Sequence, residues 1–292
     1  MAEEGKGLSL IEKLGAMDRR IIFLLIALAV IIPLVVHYTT TLHPSVIVQQ
    51  LFDKIENLPP GSKVLLSFDY GPSTVPENQP MATAFARHLF ERGHRVYLMA
   101  LWATGPRQAA LLREEVIEVE FPDKVYGEDW IRLGYKAGNQ GLINALLSDF
   151  KAMYTTDVEG TDIDAFPMMR DIKTLRDFDL ILGLGSGFPG TKEWVQFAGD
   201  PGNIAVGGGT TAVMAPLLYP YWPRQMVGFL GGLQGAAEYE SALVAAYPKY
   251  EQSSRVASTS MGPQVTAHLV IVAFIIVGNI TFLVERRRQR KY

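Results

Sequence analysis

Two long apolar segments, one near each end of the chain, constrain the fold more than any other feature. The first is IIFLLIALAVIIPLVV (Ile21–Val36) and the second is AHLVIVAFIIVGNITFLV (Ala267–Val284), and neither contains a charged residue. With their flanking residues, both approach the roughly 20 residues that a helix needs to cross the hydrocarbon core of a bilayer. The sequence therefore predicts two transmembrane helices, over residues 21–38 and 267–284.

Each segment also has a soluble alternative. The first could be a cleaved signal peptide and the second a buried core helix. However, the tail before the first segment has as many acidic as basic residues, and the sequence HYTTTLHP after it offers no small-residue cleavage site. The second segment ends at the basic sequence ERRRQRKY, which is typical of a stop at a membrane face. Both observations favour retained anchors.

The basic residues also predict the topology. Two anchors place both termini on one side of the membrane, and clustered Lys and Arg favour the cytoplasm. We therefore expect a two-pass protein of the plasma (inner) membrane with cytoplasmic tails at 1–20 and 285–292, and with the lipid bilayer as a partner. Between the anchors we expect a stiff linker (39–58), an extracytoplasmic α/β domain (59–250) and a flexible linker (251–266). The alternative topology leaves this domain in the cytoplasm.

Composition excludes several classes of site. The chain of 292 residues contains no cysteine, so it has no disulfide, thiolate ligand or cysteine nucleophile. Its net charge of -3 does not indicate a nucleic-acid partner. Only His88 and His94 lie within residues 59–250, and no His motif has metal-binding spacing. The sequence therefore predicts no nucleic-acid partner, no metal, no cofactor and no catalytic residues.

Short apolar runs alternate with longer amphipathic segments between residues 59 and 250. KVLLSFDY, HRVYLMALW, DFDLILGLGSG and NIAVGGG are predicted strands, and MATAFARHLFERG, QGLINALLSDFKAMY, TKEWVQFAG and MVGFLGGLQGAAEYESALVAAY are predicted helices. A helix between two strands makes a right-handed crossover and pairs the strands in parallel. The sequence therefore predicts an α/β domain with an open, mostly parallel, Rossmann-like sheet and helices on both faces.

Glycine, proline and hydroxyl residues follow the predicted strands. Because ligands bind beyond the carboxyl ends of the strands in such sheets, these residues are candidates for binding a small molecule. Several of them lie in DYGPSTVPENQPM, which is predicted to be a long loop, or in the glycine-rich helix start LGYKAGNQG. The candidate ligand-binding residues are Asp69, Ser73, Thr74, Lys136, Asn139, Ser186, Gly187, Gly208, Gly209, Thr210 and Thr211.

Two segments resemble known motifs without matching them. GLGSGFPGT (183–191) joins a strand to a helix, as phosphate loops do, but lacks the spacing of nucleotide-binding loops, so a tight turn is the alternative. Ser186 within it does not have the spacing of a nucleophile elbow. DVEGTDID (157–164) resembles a calcium loop but lacks the bidentate glutamate, which favours a solvated acidic loop.

Two further segments are candidate interfaces. GFLGGLQGAAEYE is predicted to be helical, with Gly228, Gly231, Gly232 and Gly235 on one face, where another backbone could approach, either within the domain or from another subunit. The acidic pair Glu238 and Glu240 at its end would bind a cation or a basic partner, or face water. The loop LYPYWP carries Tyr219, Tyr221 and Trp222, which suit a protein interface or a lipid headgroup zone, with burial in the domain as the alternative.

Taken together, SFDYGPST, PENQPM, LGYKAGNQG, GTTAVMAPLLYP and GGLQGAAEYE carry a resemblance that covers most of the domain. The chain resembles an uncharacterised family of prokaryotic membrane-anchored α/β proteins with GTTAVMAP and GGLxGAAEYE motifs. The resemblance implies the same architecture and brings no activity with it.

These observations favour a membrane-anchored, non-catalytic binding or scaffold protein. We expect its α/β domain to self-associate as a homo-oligomer or to dock on other membrane proteins. The alternative is a sensor or enzyme that binds a small anionic or nucleotide-like ligand at the strand ends.

Overall fold

The computed structural model describes residues 18–36, 42–253 and 255–289. Most of the predicted amino-terminal tail, the junction at residues 37–41 and the last three residues of the basic tail lie outside the described residues. The chain divides into two compact units, one formed by Thr41–Ser258 and the other by Met1–Thr40 with Thr259–Tyr292.

The sheet contains six strands: β1 (Lys63–Asp69), β2 (Arg95–Ala100), β3 (Trp130–Tyr135), β4 (Leu180–Gly185), β5 (Val206–Thr210) and β6 (Phe229–Gly231). The helices are α1 (Arg19–Val35), α2 (Val46–Glu56), α3 (Val75–Glu91), α4 (Gly105–Leu112), α5 (Asn139–Ser148), α6 (Phe150–Met153), α7 (Thr191–Trp194), α8 (Gly232–Ala246) and α9 (Val256–Gln289). Two π-helical segments, Arg113–Ile117 and Val195–Gly199, continue α4 and α7 and lead into the helical turns Glu118–Glu120 and Asp200–Gly202.

All strand pairs are parallel, and the strands lie in the order β3-β2-β1-β4-β5-β6. This is the strand order of a Rossmann-type doubly wound sheet, in which the order reverses between β1 and β4. The predicted α/β architecture with a parallel sheet is therefore confirmed. The edge strands β3 and β6 were not predicted.

Helices cover both faces of the sheet. Leu65 of β1 and Ile181 of β4 belong to the same buried cluster as Leu146 of α5 and Trp194 of α7. On the opposite face, the backbone of Gly207 in β5 lies against Leu51 of α2. Because alternate residues of a strand point to opposite faces, the two layers of helices enclose the apolar strands.

Both predicted apolar segments are helical, but only the second forms a helix that could span a membrane by length and composition among the described residues. Over Val256–Val284, α9 is long and apolar enough to cross a membrane, and it is the one helix among the described residues that meets this criterion. The shorter α1, of 17 residues, begins after Asp18, whose side chain accepts a hydrogen bond from the Arg20 amide. Within this unit the hydroxyl of Thr266 donates to the carbonyl of Ala29 at 2.6 Å.

Both predicted linkers are largely helical. Residues 39–58 contain α2, whose apolar residues Val48, Leu51, Phe52 and Ile55 are buried in the α/β unit. Their spacing places them on one face of the helix, and this face packs against the domain. Residues 251–266 contain the start of α9 at Val256, so a helix begins within the predicted flexible linker.

The predicted long loop after β1 is also wrong, because α3 begins at Val75 and leaves only residues 70–74 as a connection. Pro76 lies in the first turn of α3, where a helix needs no backbone N–H donor, so this proline starts the helix instead of preventing it. The second proline, Pro80, is accommodated inside the helix.

Candidate functional site

The reversal of strand order creates a candidate site between the carboxyl ends of β1 and β4. Ligands of doubly wound sheets bind in the crevice at this position. The structure brings Asp69, at the end of β1, close to Ser186, just after β4, and the Ser186 amide donates to the Asp69 carbonyl at 3.1 Å. This crevice is therefore the first place to look for a ligand.

Asp69 is completely buried at the end of β1. Its carboxylate accepts hydrogen bonds from the Leu101 amide at 2.7 Å, from Nε1 of Trp194 at 2.8 Å and from the hydroxyl of Ser67 at 2.8 and 2.9 Å. Burial raises the pKa of Asp69 to about 7, although these hydrogen bonds lower it. Because its partners are all groups of the domain, Asp69 ties β1 to the end of β2 and to α7.

Trp102 occupies the crevice. Its indole Nε1 donates to the Pro189 carbonyl at 2.7 Å. A Cβ atom on Gly187 would lie 3.1 and 3.2 Å from two atoms of the indole, and a Cβ on Gly71 would lie 3.9 Å from a third. The ring thus lies between the two loops, in the space where a dinucleotide would bind in a Rossmann-type domain.

Acidic side chains accept hydrogen bonds from two backbone amides near the strand ends, which would otherwise be able to bind an anion. Glu77, in the first turn of α3, accepts a hydrogen bond from the Ala212 amide at 2.8 Å. Glu193, in α7, accepts one from the Gly190 amide at 2.8 Å. A carboxylate at a helix start also repels a phosphate, since both are negative. Residues 186–190 of GLGSGFPGT consequently form a turn between β4 and α7, and Glu193, two residues beyond the motif, caps this turn.

Other residues of the domain fill the space beside the glycines of β5. A Cβ on Gly209 would lie 2.3 Å from Sδ of Met81, and one on Gly208 would lie 1.9 Å from the Gly183 carbonyl oxygen. The hydroxyl of Thr210 donates to the Gly185 carbonyl at 2.8 Å, and Thr211 is buried. These candidate ligand residues are therefore closely packed against other residues of the domain.

The remaining candidate ligand residues are not brought together with the crevice. Lys136 and Asn139 are exposed beyond β3, which is two strands away from β1 in the sheet. Ser73 and Thr74 lie in the 3-10 turn Pro72–Thr74, where the Thr74 hydroxyl donates to the Gly71 carbonyl at 3.2 Å.

The acidic segment 157–164 is a capped turn. Asp157 accepts hydrogen bonds from the amides of Glu159 and Thr161, each at 2.9 Å, and from the hydroxyl of Tyr126 at 2.6 Å. Among the residues that the structure describes, no group of three or more His, Cys, Asp or Glu is placed to hold a metal ion.

A second polar cluster lies between α2, α3 and α8. Nδ1 of His88 lies 2.6 Å from the hydroxyl of Tyr239, and Nε2 lies 2.8 Å from Glu56, which also accepts a hydrogen bond from Tyr247. Burial lowers the pKa of His88 to about 4, so the imidazole is neutral at pH 7. With Nε2–H donating to the carboxylate, Nδ1 accepts from the tyrosine, and both ring nitrogens are satisfied.

The two glutamates that flank Tyr239 hold the two ends of the α/β unit. Glu238 accepts a hydrogen bond from the Ser45 amide at 2.9 Å, just before α2. Glu240 accepts from the amides of Ala257 and Ser258 at 3.1 and 2.8 Å and from the hydroxyl of Ser258 at 2.6 Å, at the start of α9. Both carboxylates therefore act as caps of helix starts.

The predicted glycine-striped helix does not form as one helix. Gly228 and Gly231 precede α8, which begins at Gly232, because Phe229, Leu230 and Gly231 pair with β5 as strand β6. Added Cβ atoms would meet the Ile47 carbonyl at Gly228, Ala215 at Gly231, Ala212 at Gly232 and Leu230 at Gly235. All four glycines thus make close contacts inside the domain.

The aromatic loop is only partly exposed. Nε1 of Trp222 donates to Gln50 at 2.8 Å, and the hydroxyl of Tyr221 accepts a hydrogen bond from Gln196 at 2.5 Å. Tyr219 is 54% exposed and packs edge-on against Phe229. Of the three predicted interface aromatics, Tyr219 is therefore the one that presents most of its surface to solvent.

Sequence reasoning missed Trp102, Glu77, Glu193 and the Glu56–His88–Tyr239 chain. A tryptophan directly after a strand and glutamates in the first turns of helices were the available signals. Their partners lie far away in the sequence, so no local pattern identifies them.

Comparison with protein-family models, with curated proteins and with solved structures finds no match to this chain. The resemblance to a family of membrane-anchored α/β proteins accordingly stays a prediction.

Proposed function

We propose that the protein is a membrane-anchored, non-catalytic binding or scaffold protein, whose α/β domain self-associates or docks on a larger membrane complex. The observation that carries this proposal is the position of Trp102, which fills the crevice at the reversal of strand order. The amides beside the crevice are engaged by Glu77 and Glu193. A Rossmann-type domain closed in this way offers its outer surface to partners in place of a nucleotide site.

The membrane arrangement is part of the proposal. α9 supplies one span, and α1, with 17 residues, is at the short end of the range for a second. The cations Arg286, Arg287 and Arg288 follow the second apolar segment after a single residue, Glu285. By the positive-inside rule, both termini then lie in the cytoplasm of a two-pass protein, and the α/β domain lies outside it.

Two measurements on the full chain test the function. The first is the particle mass in mild detergent, with identification of every co-purifying protein, where we expect a homo-oligomer or a defined complex. A monomer without a partner would contradict the scaffold role. The second is the thermal stability in the presence of nicotinamide dinucleotides, purine nucleotides or inorganic phosphate, where we expect no change.

A stabilisation by one of these ligands would instead support the sensor or enzyme hypothesis. If the ligand binds at the strand ends, Ser186→Ala or Thr210→Val should abolish the stabilisation. Gly141→Ala is the matched control, because this exposed position in α5 has no atom within 4 Å of an added Cβ.

A further inference from the structure

An exposed apolar surface lies beside the point where the chain enters the α/β unit. It is formed by Val46 in the first turn of α2 and by Val213, Leu217 and Tyr219 in the segment after β5, and these side chains are 65%, 84%, 49% and 54% exposed. Below we call these four residues the entry surface. The segment from Thr211 to Pro223 contains no charged residue.

The two segments that carry the entry surface line one groove, and Tyr219 is the entry-surface residue that lines it directly. Ser45, Ile47, Ala212, Pro216 and Tyr219 line a cavity of about 310 Å³, so the start of α2 and the segment after β5 lie side by side. Glu238 also lines this groove and holds the Ser45 amide. The start of α2 is thus fixed next to the exposed apolar residues.

Chain length restricts how far this surface can lie from the apolar segments. Ser45 lies nine positions after Val36, the last residue of the first apolar segment, and Ser258 lies nine positions before Ala267, the first residue of the second. Nine fully extended residues span at most about 32 Å. Ser45 and Ser258 are bound by Glu238 and Glu240, which are two residues apart in α8. Both tethers therefore hold the same part of the domain within this distance of a bilayer that contains the spans.

We propose that the entry surface inserts into the headgroup region of the bilayer, as a second contact of the domain with the membrane. Valine and leucine side chains gain free energy on leaving water, and tyrosine is favoured at the membrane interface because its ring is apolar and its hydroxyl is polar. Arg224 follows the uncharged segment, is exposed, and can pair with lipid phosphate. This inference rests on the membrane anchoring proposed above and names the surface that touches lipid.

The absence of cysteine from the sequence allows a direct test with the full chain. Val213→Cys and Leu217→Cys variants are labelled with an environment-sensitive fluorophore and reconstituted into phosphatidylcholine vesicles. Some vesicles also contain a phosphatidylcholine with a nitroxide near the top of its acyl chain. We expect blue-shifted emission at both positions and a loss of fluorescence in the nitroxide vesicles.

Two control variants make the outcomes distinct. Val119→Cys labels a valine that is 68% exposed in the turn Glu118–Glu120, which leads to the opposite edge of the sheet, and its fluorescence should not respond to the nitroxide. Ile275→Cys labels α9 and should be quenched if the chain is anchored. Quenching at Ile275 without quenching at Val213 and Leu217 would overturn the inference and leave the anchoring intact.

The other outcomes are equally decisive. An unquenched label at Ile275 would mean that the anchoring itself fails. Equal quenching at Val119 and Val213 would show that the entry surface has no preference for lipid, which overturns the inference. A blue shift at Val213 without nitroxide quenching would assign the surface to a protein partner. Conversely, adding Val213→Glu to the Leu217→Cys variant should weaken the quenching at Leu217.

Discussion

The carboxylate of Glu240 accepts a hydrogen bond from the hydroxyl of Ser258 at 2.6 Å. It also accepts hydrogen bonds from the backbone amides of Ala257 and Ser258. Glu240 is buried, and burial raises its pKa while these hydrogen bonds lower it. Two residues earlier, Glu238 holds the amide of Ser45. One turn of α8 therefore binds residues close to both ends of the α/β unit.

Glu240→Ala should loosen the start of α9. The change leaves two amides and one hydroxyl without their acceptor, and a buried group that loses its hydrogen-bond partner costs about 1–3 kcal/mol. We expect faster amide hydrogen exchange at residues 256–260. Glu238→Ala is the matched control, because it should increase exchange at residues 45–47 only. Equal effects of both variants at residues 256–260 would contradict separate roles for the two glutamates.

Gly185→Ala should destabilise the domain, because an added Cβ would lie 2.7 Å from the backbone nitrogen of Thr191, and backbone cannot move aside easily. Overpacking of this kind costs about 1–3 kcal/mol. Gly209→Ala should cost less, since its Cβ would meet the flexible side chain of Met81. Gly141→Ala, in the exposed part of α5, should stabilise by about 0.5–1 kcal/mol. Thermal unfolding of the three variants checks this order, and an unaffected Gly185→Ala would refute the close packing of α7 on β4.

Trp102 and Gly187 should be energetically coupled. Gly187→Ala places a Cβ 3.1 Å from the indole, so the ring has to shift and its hydrogen bond to the Pro189 carbonyl weakens. In a Trp102→Ala background this contact is gone, and Gly187→Ala should have little further effect. Contacting residues show coupling energies of about 0.5–3 kcal/mol in double-mutant cycles. Additive effects on the free energy of unfolding would mean that the ring does not occupy the crevice.

The order of the central elements could be predicted because their patterns are local. The continuous apolar run of β1 and the helical spacing of Leu142, Ile143 and Leu146 in α5 depend only on neighbours in the sequence. In contrast, β6 consists of three residues beside glycines, and its strand conformation depends on pairing with β5. Without that tertiary contact, Phe229 and Leu230 fit the period of the following helix equally well.

The candidate site could be placed at the carboxyl edge but its occupancy could not be predicted. Glycine-rich strand ends are compatible with a ligand or with a close-packed side chain, and only the fold brings Trp102 beside Gly187 and Met81 beside Gly209. Likewise, the roles of Glu238 and Glu240 depend on Ser45 and Ser258, and the first of these lies 193 residues away. Long-range partners of this kind leave no periodic pattern in the sequence.

Asp69 should make the domain less stable as the pH rises. Its pKa is about 7 in the folded protein, because of burial, and 3.8 as a reference for the unfolded chain. The folded state thus binds more protons between these values, so the stability from Asp69 is full below pH 3.8 and is lost as the pH rises to about 7. Asp69→Asn removes this contribution. From pH 4 to 7, the slope of melting temperature against pH should therefore be more positive in the variant than in the wild type.

His88 should act in the opposite direction over nearly the same range. Its pKa is about 4 in the folded protein, because of burial, against 6.5 as a reference for the unfolded chain. The unfolded chain binds more protons between these values, so the stability from neutral His88 is full above pH 6.5 and is lost as the pH falls to about 4. A shift of this size corresponds to on the order of 3 kcal/mol.

His88→Gln removes this second contribution, so the slope of melting temperature against pH should be more negative in the variant than in the wild type. The two variants should therefore depart from the wild type in opposite directions. The double variant Asp69→Asn with His88→Gln should have the flattest profile, because both titrating groups are gone. Departures in the same direction would show that one of the two groups does not titrate as its buried surroundings require.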